Sequence, residues 1–159
     1  MKMKVLSLSV QNSMGILARI TGLFSGKGYS LKSLTAGTTP NSNKSRVTIV
    51  CDSNDLEFAQ VKKQLNKMIE VIKVKDLTNS PALKKELAFI KIKVPPAKRI
   101  SVIALAESVG AKVQDVCIDE IVFEMICSTE KINHFIALFS EYQMTSVARS
   151  GLVSMELSR

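Results

Sequence analysis

The sequence has few of the side chains on which most catalytic and metal sites depend. Its 159 residues include one histidine, His134, and no tryptophan, and aromatic residues make up 5%. No serine, cysteine or carboxylate constellation is predicted around His134, so we interpret it as a surface or packing residue. The cysteines have no CxxC spacing, and we expect buried, reduced thiols rather than zinc ligands or disulfides at Cys51, Cys117 and Cys127. This inventory argues against an enzyme.

Long apolar runs and nucleotide-binding glycine motifs are also missing. No uncharged apolar run approaches the roughly 18 residues that a membrane-spanning helix requires, and residues 1–4 lead into an alternating strand rather than a signal-peptide core. We therefore expect a soluble, cytoplasmic protein. Gly26-Lys27-Gly28 lacks the third glycine of a dinucleotide loop, and no GxxxxGK[ST] phosphate loop occurs. Neither kind of nucleotide site is supported.

Positive charge is concentrated in the first half of the chain. The net charge is +8, and residues 1–77 hold 12 Lys and Arg against 5 Asp and Glu. Lys62, Lys63 and Lys67 share much of one predicted helix face, while Lys73 and Lys75 alternate along a strand, so a phosphate-binding patch is conceivable. No helix-turn-helix spacing, aromatic RNA-binding strand or zinc-finger pattern accompanies these charges. A solvated basic surface is favoured over nucleic-acid binding.

The stretch from Val5 to Ser33 predicts a strand, a polar turn and an amphipathic helix. Apolar residues alternate with serines over residues 6–10, as in a strand with one buried face. Apolar residues then recur over residues 16–24 at the spacing of one helix face. Gly26 and Gly28 end the predicted helix.

The turn between that strand and helix, Asn12-Ser13-Met14-Gly15, is the best candidate binding site. A strand that runs straight into a helix exposes the first helical N–H groups, which have no partner inside the helix and can hold an anion. Asn12 can donate and accept hydrogen bonds, and Gly15 lets a ligand approach the main chain. A purely structural interpretation stays open, in which Asn12 or Ser13 caps the helix and Gly15 relieves the turn.

The remaining elements repeat one plan twice. Asn54 with Glu57 resembles a capping box at the start of the second helix. Further strands are predicted at 29–39, 45–51 and 71–77, and then at 87–94, 112–118, 121–127 and 145–157, with later helices near 97–109 and 132–139. This pattern predicts an α+β protein of two ferredoxin-like βαββαβ sandwiches with antiparallel sheets. We place the domains at 1–77 and 86–159, joined by a linker at 78–85.

The second unit lacks the glycine-bearing turn. Pro95-Pro96 occupies the corresponding place, and proline has no backbone N–H. The second copy is therefore poorly suited to the same anion site. The duplication predicts one binding half and one half with another role.

Several blocks of the sequence resemble the regulatory (small) subunit family of acetohydroxyacid synthase, also called acetolactate synthase. The opening blocks, which alone indicate only an amino-acid-sensing ACT domain, are residues 10–19, 22–25, 28–29 and 33–35. Residues 45–49, 85–91 and 147–151 continue the match in the family's order over nearly the full chain. The chain is therefore identified as a member of this family.

The resemblance implies an N-terminal ACT domain and a C-terminal ferredoxin-like domain in a homodimer that associates with a separate catalytic (large) subunit. That partner would condense pyruvate with a second 2-oxo acid at the start of valine, leucine and isoleucine biosynthesis, using thiamine diphosphate, a divalent metal and FAD. This chain would hold no cofactor, no metal and no catalytic residue. It would raise the activity of the partner and confer feedback inhibition by valine.

The resemblance also implies an effector site made by two protomers. One wall is the turn, with Asn12, Ser13, Met14, Gly15 and Ile16. The other wall is the start of the second strand of a neighbouring protomer, with Tyr29, Ser30 and Leu31. The family usually has Asn, Ile and an acidic residue after its Gly-Tyr pair, where this chain has Ser30, Leu31 and Lys32. Because serine lacks the reach of asparagine, we expect Ser30 to weaken valine sensing.

Two other classes of protein stay open at this point. A free-standing ACT-domain sensor would bind an amino acid without joining a synthase. A basic transcription or RNA-binding regulator would bind nucleic acid in a salt-dependent way. The block Ala148-Arg149-Ser150-Gly151 counts against both, although the sequence assigns no role to Arg149.

Overall fold

A computed structural model describes residues 2–158, which fold into two compact units. One unit comprises residues 2–83 together with 152–158, and the other comprises Lys84–Gly151. Each has an antiparallel sheet whose one face packs against two α-helices. The predicted α+β class and the two βαββαβ units are confirmed.

The first unit contains six elements before the chain enters the second. They are β1 (Lys2–Gln11), α1 (Ile16–Gly26), β2 (Ser30–Thr38), β3 (Lys44–Ser53), α2 (Asp55–Leu65) and β4 (Val71–Asp76). The strand order is β2-β3-β1-β4. This order places β1 in the centre of the sheet, so the turn at its end leads directly to α1.

Hydrophobic periodicity explains the core of this unit. Leu6, Leu8 and Val10 of β1 are buried against Ile20 and Phe24 of α1, which follow at helical spacing. The intervening residues of β1 point to the opposite face of the sheet.

The predicted capping box at the start of α2 is confirmed. The Asn54 side chain accepts a hydrogen bond of 2.9 Å from the Glu57 N–H, and the Glu57 carboxylate accepts one of 3.0 Å from the Asn54 N–H. Two of the otherwise unpaired donors at this helix end are thereby satisfied.

The second unit repeats the topology with different turns. Its elements are β5 (Ala82–Lys93, which begins within the first unit), a short 3-10 helix (Pro96–Lys98), α3 (Arg99–Ser108), β6 (Lys112–Val116), β7 (Glu120–Cys127), α4 (Thr129–Leu138) and β8 (Met144–Arg149). The strand order β6-β7-β5-β8 corresponds to that of the first sheet. Phe123, Phe135 and Phe139 form the aromatic centre of its core, with ring centroids 4.6 to 6.2 Å apart.

Two boundaries differ from the sequence prediction. The segment 78–85, expected as a linker, already contains the start of β5 at Ala82. The last strand, expected over 145–157, is interrupted at Gly151, which has a φ of +77°. A residue with positive φ cannot continue an extended strand, so the chain turns and forms β9 (Val153–Glu156).

β9 belongs to the first unit, although we placed the end of the chain in a domain of 86–159. Leu152 is buried with Val5, Val50 and Leu77, and β9 pairs with β5. The physical reason is burial of apolar surface: the open face of the first sheet carries these apolar side chains, and Leu152 covers them.

The cysteine prediction holds only in part. All three thiols are free; Cys51 is buried and Cys127 is half-buried. Cys117 is exposed, because it follows β6 in the turn before β7. His134 is exposed on α4. Among residues 2–158, no helix is long and apolar enough to cross a membrane, and no cluster of His, Cys, Asp or Glu could hold a metal ion.

Candidate functional site

The turn between β1 and α1 is shaped by Gly15. Its φ of +79° places it in the left-handed region, and it occupies the N-cap position without any side-chain hydrogen bond to the helix. The interpretation in which Asn12 or Ser13 caps α1 is therefore wrong. The physical reason is the backbone path: the left-handed residue directs the chain into the helix, while the Gly15 C=O accepts the bond of 3.0 Å from the Arg19 N–H.

The start of α1 offers backbone donors. Among the described residues, the N–H groups of Leu17 and Ala18 have no hydrogen-bond acceptor, whereas the Ile16 N–H donates to the Ser13 C=O at 3.3 Å. The first turn also carries no acidic side chain. Unpaired amides at a helix N-terminus attract an anion such as a carboxylate.

Asn12, at the start of the turn, is held by the β2–β3 hairpin. Its main-chain N–H donates to the Asn43 C=O at 2.8 Å, and its Nδ2 donates to the Ser42 C=O at 3.2 Å. Within residues 2–158, its Oδ1 atom has no partner. A side chain fixed through one end of its amide leaves the carbonyl end available as an acceptor.

Ser13 adds a polar atom without a partner. Its Oγ is shielded from solvent and makes no hydrogen bond to any residue of the described chain. Leaving a buried hydroxyl unpaired costs about 1–3 kcal/mol. A ligand that supplies a partner for it would recover part of this free energy.

An open cavity of about 410 Å³ lies beside this turn. Its lining is rich in amides and includes one cation, with Gln11, Asn12, Asn41, Asn43 and Lys44 among the contributing residues. A cavity of this size and polarity suits a small zwitterionic or anionic molecule.

The other predicted site residues are placed differently. The Met14 side chain is fully exposed, and the Ile16 side chain is buried in the core. Leu31 is partly buried and packs against the same core. Met14 can therefore contribute an exposed side chain, whereas the Ile16 side chain is committed to the core and its N–H to the Ser13 C=O.

Tyr29 and Ser30 lie at the far end of α1. The Tyr29 ring packs edge-on against Phe24, and its hydroxyl donates to Gln60 Oε1 at 3.2 Å. Ser30 is exposed at the start of β2, and Lys32 nearby forms an ion pair of 3.0 Å with Asp52. An eleven-residue helix is about 16 Å long, so one chain does not bring its Tyr29–Leu31 segment to its own turn.

A cluster around Arg149 was not assigned from the sequence. Its Nε donates to Glu86 Oε1 at 2.7 Å and its Nη2 to Glu86 Oε2 at 2.9 Å, while Nη1 donates to Asn133. Glu86 also accepts a hydrogen bond from the Thr129 hydroxyl, and only 5% of its side chain is exposed. The Arg149 hydrogen bonds lower the pKa of Glu86 below its ordinary value. This cluster is structural and joins β5, β8 and α4.

The two partners of this ion pair lie in different blocks of the family resemblance. Glu86 is in the block 85–91 and Arg149 in the block 147–151. Sixty-three positions separate them along the chain. The sequence shows that both blocks match the family. Their spacing along the chain does not indicate that Glu86 and Arg149 are in contact.

The family comparisons cover both units. Residues 6–73 match the family described as AHAS small subunit-like ACT domain, and residues 85–158 match the family described as small subunit of acetolactate synthase. The second match includes the residues of β9.

Individual relatives agree over almost the whole chain. The probable acetolactate synthase small subunit of Archaeoglobus fulgidus is 39% identical over 150 residues, which are 94% of each chain. The acetolactate synthase small subunit of Bacillus subtilis is 39% identical over 93% of this chain and 87% of its own length. The crystal structure of the acetolactate synthase small subunit of Thermotoga maritima superimposes with a TM-score of 0.88 at 27% identity and covers 100% of this chain and 99% of its own.

Proposed function

The chain belongs to the acetolactate synthase small-subunit family, and from this membership we propose that it places a catalytic large subunit under feedback control by valine. Its role is regulatory, and the catalytic site belongs to the partner. The observation that carries the effector proposal is the turn before α1, where Leu17 and Ala18 present unpaired N–H groups. An amino-acid carboxylate is the anion that these donors would hold.

The proposed pose uses the groups around the turn. The valine carboxylate accepts hydrogen bonds from the Leu17 and Ala18 amides, and the Asn12 Oδ1 accepts one from the valine ammonium group. The Ser13 hydroxyl supplies a further polar contact. Such charge-assisted hydrogen bonds are about twice as strong as neutral ones.

We further propose that the effector site is completed by a second copy of the chain. Tyr29, Ser30 and Leu31 would form its other wall, which fits the separation of these residues from the turn within one protomer. A ligand held between two ACT domains favours one way of pairing them over another. That preference can pass to the catalytic subunit as a coupling free energy.

The chemistry of the holoenzyme would lie entirely on the partner. We propose that the catalytic subunit condenses pyruvate with a second 2-oxo acid and that thiamine diphosphate, a divalent metal and FAD bind there. The assembly would work in the cytoplasm. The present chain supplies activation and effector binding.

The test is an activity assay of the purified catalytic subunit with and without this chain, followed by titration with valine. Acetolactate formation should rise on mixing and fall when valine is added. No change in activity on mixing would contradict the regulatory role. Activation without valine inhibition would contradict the choice of effector, and leucine and isoleucine titrations would then identify the alternative.

Two variants test the walls of the site. Asn12→Ala should raise the valine concentration for half-inhibition at least about tenfold, because it removes the proposed ammonium acceptor. Ser30→Asn should lower that concentration about threefold or more, because the asparagine amide reaches further towards the proposed ligand than the serine hydroxyl does. The matched control is Asn66→Ala, since Asn66 is an exposed residue after α2. Equal effects of Asn12→Ala and Asn66→Ala would contradict the assignment.

A further inference from the structure

The open face of the first sheet, opposite the two helices, carries a row of polar side chains. In the register of the sheet, Ser9 of β1 lies between Arg46 of β3 and Lys73 of β4. Residues directly opposite each other on neighbouring strands share one face, so these three side chains project on the same side. The next row has Ser7 beside Lys75.

β9 covers one part of this face and leaves the rest open. Leu152, just before β9, lies over an apolar row that includes Val5, and the Ser154 N–H donates to the Thr48 hydroxyl at 3.4 Å. The row with Ser9 lies beyond this cover. The result is a cavity of about 280 Å³, with the sheet as its floor and residues 155–158 along one side. We call it the sheet-face cleft and define it by Ser7, Ser9, Arg46, Lys73, Lys75 and Glu156.

Charge in the sheet-face cleft is unbalanced. Lys75 forms an ion pair with Glu156, which is the carboxylate of the cleft. Neither Arg46 nor Lys73 has a carboxylate within ion-pair distance in the part of the chain that the structure describes. Arg46 and Lys73 thus share a concave site in which neither is paired with a carboxylate of residues 2–158, and such a site concentrates anions.

The hydroxyl groups complete the donor set. Ser7, which is almost fully buried, and Ser9 both line the sheet-face cleft beside Arg46 and Lys73. A guanidinium, an ammonium and two hydroxyl donors around one cavity match the needs of an oxygen anion with several acceptor atoms. The concave shape, with residues 155–158 along one side, distinguishes this site from a flat basic surface that is only solvated.

We propose that the sheet-face cleft binds an oxyanion, the phosphate or carboxylate group of a small metabolite. It is separate from the turn before α1 and does not depend on the proposed effector function. Glu156 competes with the anion for Lys75. Binding therefore replaces the Lys75–Glu156 ion pair with contacts between Lys75 and the ligand, and it releases the Glu156 side chain.

Isothermal titration of the full-length protein with pyrophosphate and, separately, with succinate tests the proposal at constant ionic strength. One ion should bind per chain, and the tighter of the two probes distinguishes a phosphate from a carboxylate ligand. The double variant R46Q/K73Q should weaken binding at least about tenfold, because two charge-assisted contacts are lost. Glu156→Gln should tighten it about threefold, because the competing carboxylate is removed.

The matched control is K85Q/K112Q, which removes two exposed positive charges from the second unit. This control should leave the affinity within about twofold, as expected for distant charges in solvent. Equal weakening by both double variants would reduce the effect to net charge and overturn the proposal. Lys63 and Lys67 line a different cavity. If K63Q/K67Q weakened binding and R46Q/K73Q did not, the proposal would also be overturned. Failure of both probes to bind would overturn it as well.

Discussion

The two units share one topology but differ in the turn between their first strand and first helix. In the first, the amides of Leu17 and Ala18 and the hydroxyl of Ser13 have no partner among the described residues. In the second, the corresponding turn is Pro95-Pro96, and the Lys98 N–H already donates to the Pro95 C=O at 2.9 Å. Unpaired donors on a rigid frame are available to a ligand, whereas paired ones only hold the fold.

The ion pair between Glu86 and Arg149 shows how the second unit pairs a buried charged group internally. In the second unit the nearly buried Glu86 carboxylate accepts two hydrogen bonds from the Arg149 guanidinium and one from the Thr129 hydroxyl, while Asn133 accepts one from Arg149. Both oxygens of the Glu86 carboxylate therefore have partners within the chain. The duplication therefore leaves unpaired backbone donors in the turn of the first unit, while the Glu86–Arg149 pair of the second unit is satisfied internally.

Arg149→Ala should have the largest effect on the second unit. It leaves the Glu86 carboxylate buried without its cation, and we expect a loss of about 2–3 kcal/mol in the free energy of unfolding, since Arg149 itself is partly exposed. Urea denaturation followed by circular dichroism measures it. The control is Lys91→Ala, which removes a surface ion pair of 3.8 Å and should cost less than about 0.5 kcal/mol. Equal losses would contradict a special role for the Glu86 pair.

The contribution of this ion pair should depend on pH. The pKa of Glu86 in the folded chain lies below its ordinary value of 4.5, first because of the Arg149 hydrogen bonds. A carboxyl group whose pKa is lowered by folding stabilises the protein above its unfolded-state pKa, and this stabilisation is lost as pH falls through the folded-state pKa. The difference in unfolding free energy between the unaltered chain and Arg149→Met should therefore be full at about pH 7 and shrink towards about pH 3. A difference that stays constant over this range would exclude Glu86 ionisation as its source.

Leu17→Pro would remove a backbone N–H at the start of α1, as Pro95 and Pro96 do in the second unit. The Leu17 N–H has no partner in the described chain, so proline in this first helical turn removes a ligand donor and breaks no internal hydrogen bond. We expect the valine concentration for half-inhibition to rise at least about tenfold. Leu17→Ala is the matched control, because it shortens the side chain and keeps the N–H. If both variants respond equally to valine, the backbone donor is not part of the site.

Gly15→Ala should have the smallest effect, close to 1 kcal/mol of destabilisation, because a side chain at a φ of +79° is strained. No atom lies within 4 Å of the position of an added Cβ, so the cost is conformational and not steric crowding. Gly22→Ala, in the middle of α1 and also without close contacts, should instead stabilise by about 0.5–1 kcal/mol. Thermal unfolding of both variants measures the signs. The same sign for both would contradict a special backbone requirement at Gly15.

Much of the local structure follows from the sequence. The alternation in β1, the helical spacing in α1 and the Asn54–Glu57 capping box predict elements that the structure confirms. Each depends on interactions within a few residues of the chain. The absence of backbone donors at Pro95 and Pro96 is also a local property and needs no tertiary structure to recognise.

Other features were decided by tertiary structure alone. Arg149 pairs with Glu86 because β8 lies beside β5, and no local pattern contains that neighbourhood. β9 joins the first unit because Leu152 finds apolar surface there, although its position along the chain suggested the second. The two hydrogen bonds that hold Asn12 against the β2–β3 hairpin likewise join residues about 30 positions apart. Sequence by itself determines short-range geometry and the repeat; long-range packing decides which polar groups end with a partner and which stay available to a ligand.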